Sequence, residues 1–388
     1  MNSGKYVFAQ LCLFIPHRIF DGIVSKYDGN FRVKNFTCWN QMLCMIFGQL
    51  SNRESLRDLV LMINAHQNKA YHLGFGKGVA RSTLAKANEQ RSWKIYRDFS
   101  DHIIREAKKL NLGSNESEFS FSNPIYAVDS TTIDLCLSVF WWANYKTTKA
   151  AIKVHTQLDI RTSIPVFALI SEAAVHDVKA MDSLSYESGS YYIFDRAYLD
   201  FQRLYVIHSI GAFFVIRAKK NLKFKRQYSR KIDKSNGVRY DQEGILQGFY
   251  SAKEYPAKIR RIKFYDEEKG REFIFLTNNL SINPEEIALL YKNRWQVELF
   301  FKFVKQHLKI KSFWGYSENA VKTQVYIAII TYTLIAIIHN KMNTKYSIYE
   351  TLQIIGASLL DKTPVNQLLS KNENQDFKEL HHNPLTLF

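Results

Sequence analysis

The residues of this chain best suited to chemistry are three carboxylates and one short polar stripe. Asp129 sits inside an apolar run, Tyr126-Ala-Val-Asp129-Ser-Thr-Thr-Ile133, and Asp195 closes another, Tyr191-Tyr-Ile-Phe-Asp195. Both runs read as strands. A carboxylate within an apolar strand is costly unless it is ion-paired, hydrogen-bonded or bound to a cation. One that ends a parallel strand is delivered to the sheet edge, where α/β proteins place their sites. Glu298 lies in Tyr291 to Lys305, a stretch without Gly or Pro. Pro284-Glu285-Glu286 before it suits a helix N-terminus. At about 100° per residue, Tyr291, Arg294, Glu298 and Lys305 fall within one narrow polar stripe, beside an apolar stripe of Leu290, Val297, Phe301, Val304 and Leu308. Arg294 suits a bidentate grip on phosphate, Lys305 a point charge and Tyr291 a hydroxyl donor. Periodicity alone favours an ordinary amphipathic helix with a solvated charge pair, and a single buried Asp as often serves a cap or turn.

The elements that must position these groups come from the rest of the chain. Its 388 residues suit two or three domains, and 46% hydrophobic residues can bury a sizeable core. A net charge of +17 calls for a polyanionic partner, nucleic acid or an anionic membrane. No secretory signal is legible between Met1 and Pro16. The most apolar run, Val325 to Ile338, is shorter than the roughly 18–20 residues a bilayer requires, so a buried core helix is expected there and nucleic acid is the better partner. Cys12, Cys38, Cys44 and Cys136 lack zinc spacing and read as reduced, buried thiols of a cytosolic protein.

Residues 1–120 read as helical. Ser51-Asn-Arg-Glu54 is a candidate capping box ahead of Leu56, Leu59, Val60 and Ile63. Gly74-Phe-Gly-Lys-Gly78 lacks phosphate-loop spacing and reads as a connector. The basic segment Val79 to Asn88, with Ser82 as candidate N-cap, suits a recognition helix or a plain surface helix equally. Leu112 to Asn123 reads as a linker. Three strands are expected between 124 and 172, a crossover helix over Asp177–Leu184, a helix over Asp200–Ser209 and a fifth strand over Ala212–Arg217. Arg217 to Lys234 holds nine Lys or Arg with Phe224 and Tyr228 interleaved, which suits a DNA-facing hairpin. Residues 218–275 read as a mostly β insertion, and a helical tail follows Asn340.

Tyr291, two residues, Arg294, three residues, Glu298, six residues and Lys305 match the signature of a group of bacterial transposases. The chain here resembles the DDE enzymes of the insertion-sequence-four family. Asp195-Arg-Ala-Tyr198 is similar to their second-aspartate motif. Leu50-Ser-x-Arg-Glu-Ser-Leu-Arg-Asp58, Tyr71-His-Leu-Gly74 and Arg81-Ser-Thr-Leu-Ala85 resemble an N-terminal domain common in such enzymes, thought to bind transposon ends.

The resemblance implies an α/β fold: a ribonuclease H-like mixed five-stranded sheet with flanking helices, a β-rich insertion and a helical N-terminal domain. It divides the chain into a DNA-binding domain (1–120), a catalytic core (121–217 and 276–345), the insertion (218–275) and a helical tail (346–388). Asp129, Asp195 and Glu298, 66 and 103 positions apart, would be the catalytic carboxylates and would hold two Mg²⁺ ions, with Mn²⁺ as a substitute. Tyr291, Arg294 and Lys305 would bind phosphates of the transposon end, with Lys302 beside them, and Trp295 would stack on an unpaired base or pack in the core. Arg196 and Tyr198 would support the second aspartate, or Arg196 would make a plain structural pair with a carboxylate. The implied activity is cut-and-paste DNA transposition: hydrolysis at insertion-sequence ends, then joining of the 3′-hydroxyls to target DNA. Double-stranded DNA with inverted repeats, a second copy in a synaptic dimer, and the bacterial cytoplasm and nucleoid follow as partners and place. A nuclease of the same fold that never joins ends, and a non-catalytic DNA-binding regulator derived from a transposase, are the rival readings. A Ser-His-Asp hydrolase on Ser130, His155 or His176 is disfavoured because no Gly-x-Ser-x-Gly elbow occurs.

Overall fold

The computed structural model describes residues 4–370 apart from 77, 111–118, 147–148, 220, 234, 309 and 311. Part of the expected linker (112–118), Lys77 of the glycine connector and the end of the expected tail (371–388) lie outside the described residues. The protein is mixed α/β, built on one large mixed sheet. Its strands are β1 (Ile125–Leu135), β2 (Asn144–Lys146), β3 (Lys149–Asp159), β4 (Ile164–Glu172), β5 (Tyr191–Phe194), β6 (Phe213–Arg217), β7 (Phe224–Ser229), β8 (Val238–Leu246), β9 (Ile259–Asp266) and β10 (Arg271–Thr277).

The five strands expected for the core are present in the order β4-β3-β1-β5-β6. β1, β3 and β4 pair antiparallel, and β1-β5 and β5-β6 pair parallel. The sheet does not stop at five strands. β10 pairs antiparallel with β6, and β9, β8 and β7 follow; with β2 paired on β3, the sheet has ten strands among the described residues. Besides β7 to β10, the described residues between 218 and 277 include one short helix, Phe249–Glu254.

Strand alternation sorts the side chains onto two faces. Ile125, Ala127, Ile133, Ile193 and Val215 join a core shared with the N-terminal helices and the helices after residue 284. Tyr126, Val128, Tyr192, Phe194, Phe214 and Ile216 face a second core closed by Leu204 and Ile207 of the helix Phe201–Ser209. That helix is capped by Asp200, which accepts from Arg203 N at 3.0 Å.

The expected buried run is part of a 24-residue helix, Glu318–Lys341. By length and composition it could cross a membrane, yet 94% of its most apolar window is buried inside the protein. It packs on the helices Lys94–Leu110 and Cys38–Leu50. Buried amides fix the contact: Thr331 Oγ1 donates to Gln49 Oε1 at 2.8 Å, and Gln49 Nε2 to Gln324 O at 3.2 Å. The helices Ile348–Ala357 and Val365–Leu368 return to the N-terminus, where Val7 N donates to Asp361 O at 2.8 Å and Gln10 Nε2 to Thr363 O at 2.9 Å.

Several local expectations need correction. Ser51 is the C-cap of the helix Cys38–Leu50, its Oγ donating to Phe47 O at 2.7 Å; the N-cap of Leu56–Ala65 is Ser55, which accepts from Asp58 N at 3.1 Å. Asn52, at φ 58°, makes the intervening left-handed turn. Ser82 is not a cap, because the helix Arg81–Gln90 begins one residue earlier, after Ala80. The crossover Asp177–Ser183 is 3₁₀ rather than α-helical. Cys136 is exposed and Cys12 only partly buried, while Cys38 and Cys44 are buried.

Candidate active site

The parallel register places the two aspartates. β1 and β5 pair from Ile125 with Tyr191 through Val128 with Phe194. Asp129 and Asp195 are the next residues of each chain, so they sit opposite one another on strands roughly 5 Å apart. Each lies two residues beyond a side chain of the first core, Ala127 and Ile193. Strand alternation therefore turns both carboxylates toward that same face. Asp195, in extended backbone, also caps the short 3₁₀ turn Arg196–Tyr198 by accepting from Arg196 N. The side chain of Arg196 is exposed.

Glu298 reaches the site from a helix across this face. The expected continuous helix is two helices, Pro284–Asn293 and Trp295–His307, divided at Arg294. The break has a local cause. Asn293 Nδ2 bonds back to Leu289 O at 3.1 Å, and the bonds around Arg294 shorten to i→i+3, Arg294 N to Tyr291 O and Val297 N to Arg294 O, both 3.2 Å. Val297, Phe300, Phe301 and Val304 bury the second helix against the sheet, leaving Glu298 at its edge.

Arg294 joins the acids. Its side chain is 13% exposed; Nη1 donates to Asp129 Oδ2 at 2.9 Å and Nη2 to Glu298 Oε1. Burial pushes the Asp129 carboxyl up to about 6, with Glu298 and Asp195 raising it further and Arg294 and the Ser130 amide opposing. Burial likewise raises the Tyr291 hydroxyl, and the charges of Arg294, Asp195 and Arg217 also bear on it. The Tyr291 ring packs on Phe275, centroids 4.8 Å apart. Lys305 Nζ donates to Thr132 O at 2.8 Å, on the strand that carries Asp129. Lys302 is exposed.

Among the described residues, no three His, Cys, Asp or Glu side chains stand close enough to hold one ion. The donor chemistry nevertheless fits hard divalent cations: carboxylate oxygens are their preferred ligands, and the charges of both Glu298 and Asp195 reach the buried carboxylate of Asp129.

Trp295 is 56% exposed, which excludes core packing. It lines a cleft of about 1110 Å³ with Arg217, Lys269, Arg271, Phe273, Arg294 and Glu298. One wall is the β9-β10 hairpin of the insertion and the other is the pair of helices around Arg294.

Some site residues were not legible in the sequence. Ser130 Oγ donates to Asp177 Oδ1 at 2.7 Å, and Lys153 Nζ lies 3.0 Å from the same oxygen. His155 Nε2 pairs with Ser171 Oγ at 2.8 Å, so Ser130 and His155 have other partners and make no nucleophile–base pair. Arg260 and Asp241, both fully buried, pair at 2.6 Å; Arg260 Nη1 also donates to Ile282 O at 2.7 Å, fixing the loop that leads into Pro284–Asn293. The polar pairs on neighbouring strands become visible only once the register is known.

Asp129, Asp195 and Glu298 thus lie toward one face of a mixed sheet, with Arg294 between two of them. Residues 120–334 match the family model described as "Transposase DDE domain", and the chain belongs to that family. Residues 3–76 match a second model, described as a domain of unknown function. Among curated relatives, a putative transposase of Sinorhizobium fredii is 34% identical over 213 residues, 54% of this chain and 59% of that one. The chain thus spans less than two thirds of that relative. A probable transposase for an insertion sequence element of Geobacillus stearothermophilus is 29% identical over 296 residues, 72% of this chain and 76% of that one. A putative transposase for an insertion sequence element of Synechocystis is 23% identical over 291 residues, 74% and 80%. A solved piggyBac transposase synaptic complex with hairpin DNA overlaps at a TM-score of 0.47 and 12% identity, covering 92% of this chain and 80% of that one, a likeness too distant to carry weight.

Proposed function

We propose that this chain is an insertion-sequence transposase of the insertion-sequence-four group with a ribonuclease H-like catalytic core. It cleaves DNA at the element's ends and joins the freed 3′-hydroxyls to target DNA. The observation that carries this reading is the register: Asp129 and Asp195 each follow the last paired residue, Val128 and Phe194, of two adjacent parallel strands, and Arg294 bonds to both Asp129 and Glu298.

Asp129, Asp195 and Glu298 would hold two Mg²⁺ ions, with Mn²⁺ as substitute. Such ions would supply Lewis-acid activation of a water or a 3′-hydroxyl and charge stabilisation of the leaving oxygen. The protein's own groups position the DNA. Arg294 exchanges its carboxylate partners for a phosphate of the transposon end, which its planar fork matches. Lys305 and Lys302 add point charges along the same helix, and Tyr291 donates its hydroxyl. Trp295 stacks on an unpaired base in the cleft beside Glu298. The N-terminal helices, including the exposed side of Arg81–Gln90, bind end sequences, and the basic β7 edge follows the backbone. Two copies form the synaptic complex, in the bacterial cytoplasm on the nucleoid.

The test is end cleavage with Mg²⁺ by the parent against Asp129→Asn, Asp195→Asn and Glu298→Gln, followed by strand transfer from pre-cut ends. Loss of both activities in all three variants is expected. Cleavage without joining by the parent would make the protein a nuclease. Metal-independent binding with no cleavage would make it a regulator.

A further inference from the structure

The face of β1 opposite Arg294 carries its own polar assembly. Ser130 follows Asp129 and points to the other side of the sheet. Its Oγ donates to Asp177 Oδ1 at 2.7 Å. Lys153, paired in register with Thr132, places Nζ 3.0 Å from that oxygen and donates to Val175 O at 2.8 Å. Lys153 is 14% and Asp177 26% exposed. One carboxylate oxygen thus ties β1, β3 and the segment after β4 together. The Asp177–Ser183 segment in turn packs on Arg196–Tyr198, the turn that Asp195 caps. The buried Tyr198 hydroxyl lies beside Ser130, where Asp129, Asp177 and Asp195 also act on it.

A half-buried Lys–Asp pair is weak evidence of stability, since apolar replacements commonly serve as well. Its geometry suits a different task. On the first face Asp129 is held by Arg294, which the proposed mechanism requires to leave for a phosphate. On the second face nothing has to move.

We propose that Lys153, Asp177 and Ser130 form a fixed strut that holds the end of β1 against the Asp195 turn, so that the two aspartates keep the spacing a divalent cation requires once Arg294 has turned to DNA. These three are positioning residues, and the inference rests on the metal-binding reading of the site. Partners behind a metal ligand commonly change affinity by about 10- to 100-fold when removed.

The test is Mn²⁺ binding to the full chain, read from the electron paramagnetic resonance of free Mn²⁺, for Lys153→Met, Asp177→Asn, Ser130→Ala, Ser130→Thr and, in parallel, Asp129→Asn. Thermal melts by circular dichroism establish that each is folded. The first three variants should bind Mn²⁺ about tenfold or more weakly while keeping parental affinity for end DNA without metal. Ser130→Thr, which retains the hydroxyl, should restore Mn²⁺ binding. If Asp129→Asn abolishes binding while the strut variants match the parent, the strut is overturned and the site reading stands. If Asp129→Asn binds Mn²⁺ as the parent does, both fall. Should Lys153→Met fail to fold, Ser130→Ala against Ser130→Thr decides the matter.

Discussion

Arg294 Nη1 donates to Asp129 Oδ2 at 2.9 Å, joining residues 165 positions apart in the sequence. This bond makes one half-helix the keeper of a carboxylate on β1. It also sets the charge balance of the site, because burial would otherwise drive Asp129 toward its neutral form.

The raised Asp129 carboxyl gives a pH dependence of known sign. Its folded value, about 6, lies above the ordinary carboxylate value of 3.8. Its contribution to stability is therefore full below about pH 4 and is lost as pH rises through 6. Asp129→Asn escapes that loss. Relative to the parent, the variant should gain on the order of 1–3 kcal/mol between pH 4 and pH 7, read from denaturant melts at several pH values. A difference independent of pH would contradict the buried charge.

Arg294→Met strips the cation from both Asp129 and Glu298. At pH 7.5 it should cost about 1–3 kcal/mol of stability, and less at pH 5, where Asp129 carries more of its proton. Arg294→Lys should recover part of the stability but little affinity for end DNA, since an ammonium lacks the planar fork. Paired melts and binding isotherms check both.

Trp295→Ala should leave stability within about 0.5 kcal/mol, as expected for an exposed side chain. Its effect should fall on DNA carrying an unpaired base near the cleavage site, with a loss of about 1–3 kcal/mol of stacking. Fluorescence of 2-aminopurine at that base reports the contact directly. Equal losses on paired and unpaired substrates would remove Trp295 from the role.

Arg260→Met leaves Asp241 buried without its partner and frees the loop at Ile282. A loss of about 3–5 kcal/mol is expected. Arg260→Met with Asp241→Leu should lose much less. Thermal unfolding of the single and double variants measures the difference.

The outer strand β7 exposes Lys225 and Arg226 on an unpaired sheet edge. If both touch phosphates, replacing each with Gln should reduce the slope of log affinity against log salt by about 2. Titration of end DNA at several salt concentrations tests this, and an unchanged slope would place the DNA elsewhere.

The residue types and their local order settled much of this protein. Apolar runs ending in or enclosing Asp declared β1 and β5, because a buried carboxylate demands a partner. The spacing of Tyr291, Arg294, Glu298 and Lys305 declared a one-sided helix. The excess of Lys and Arg raised the expectation of a polyanionic partner. What remained hidden depended on contacts between distant segments. The hitch at Arg294 came from an asparagine bonding back one turn, a choice that helical periodicity does not record. Ser55 rather than Ser51 became a cap because Asn52 turned left-handed first. Lys153 and Asp177 had no local mark, since only the pairing of β1 with β3 brings them beside Ser130. The insertion joined the core sheet because β6 offered a free edge to β10. Sequence fixes which groups each element can present; tertiary pairing, through strand register and the face each side chain takes, decides which of those groups meet.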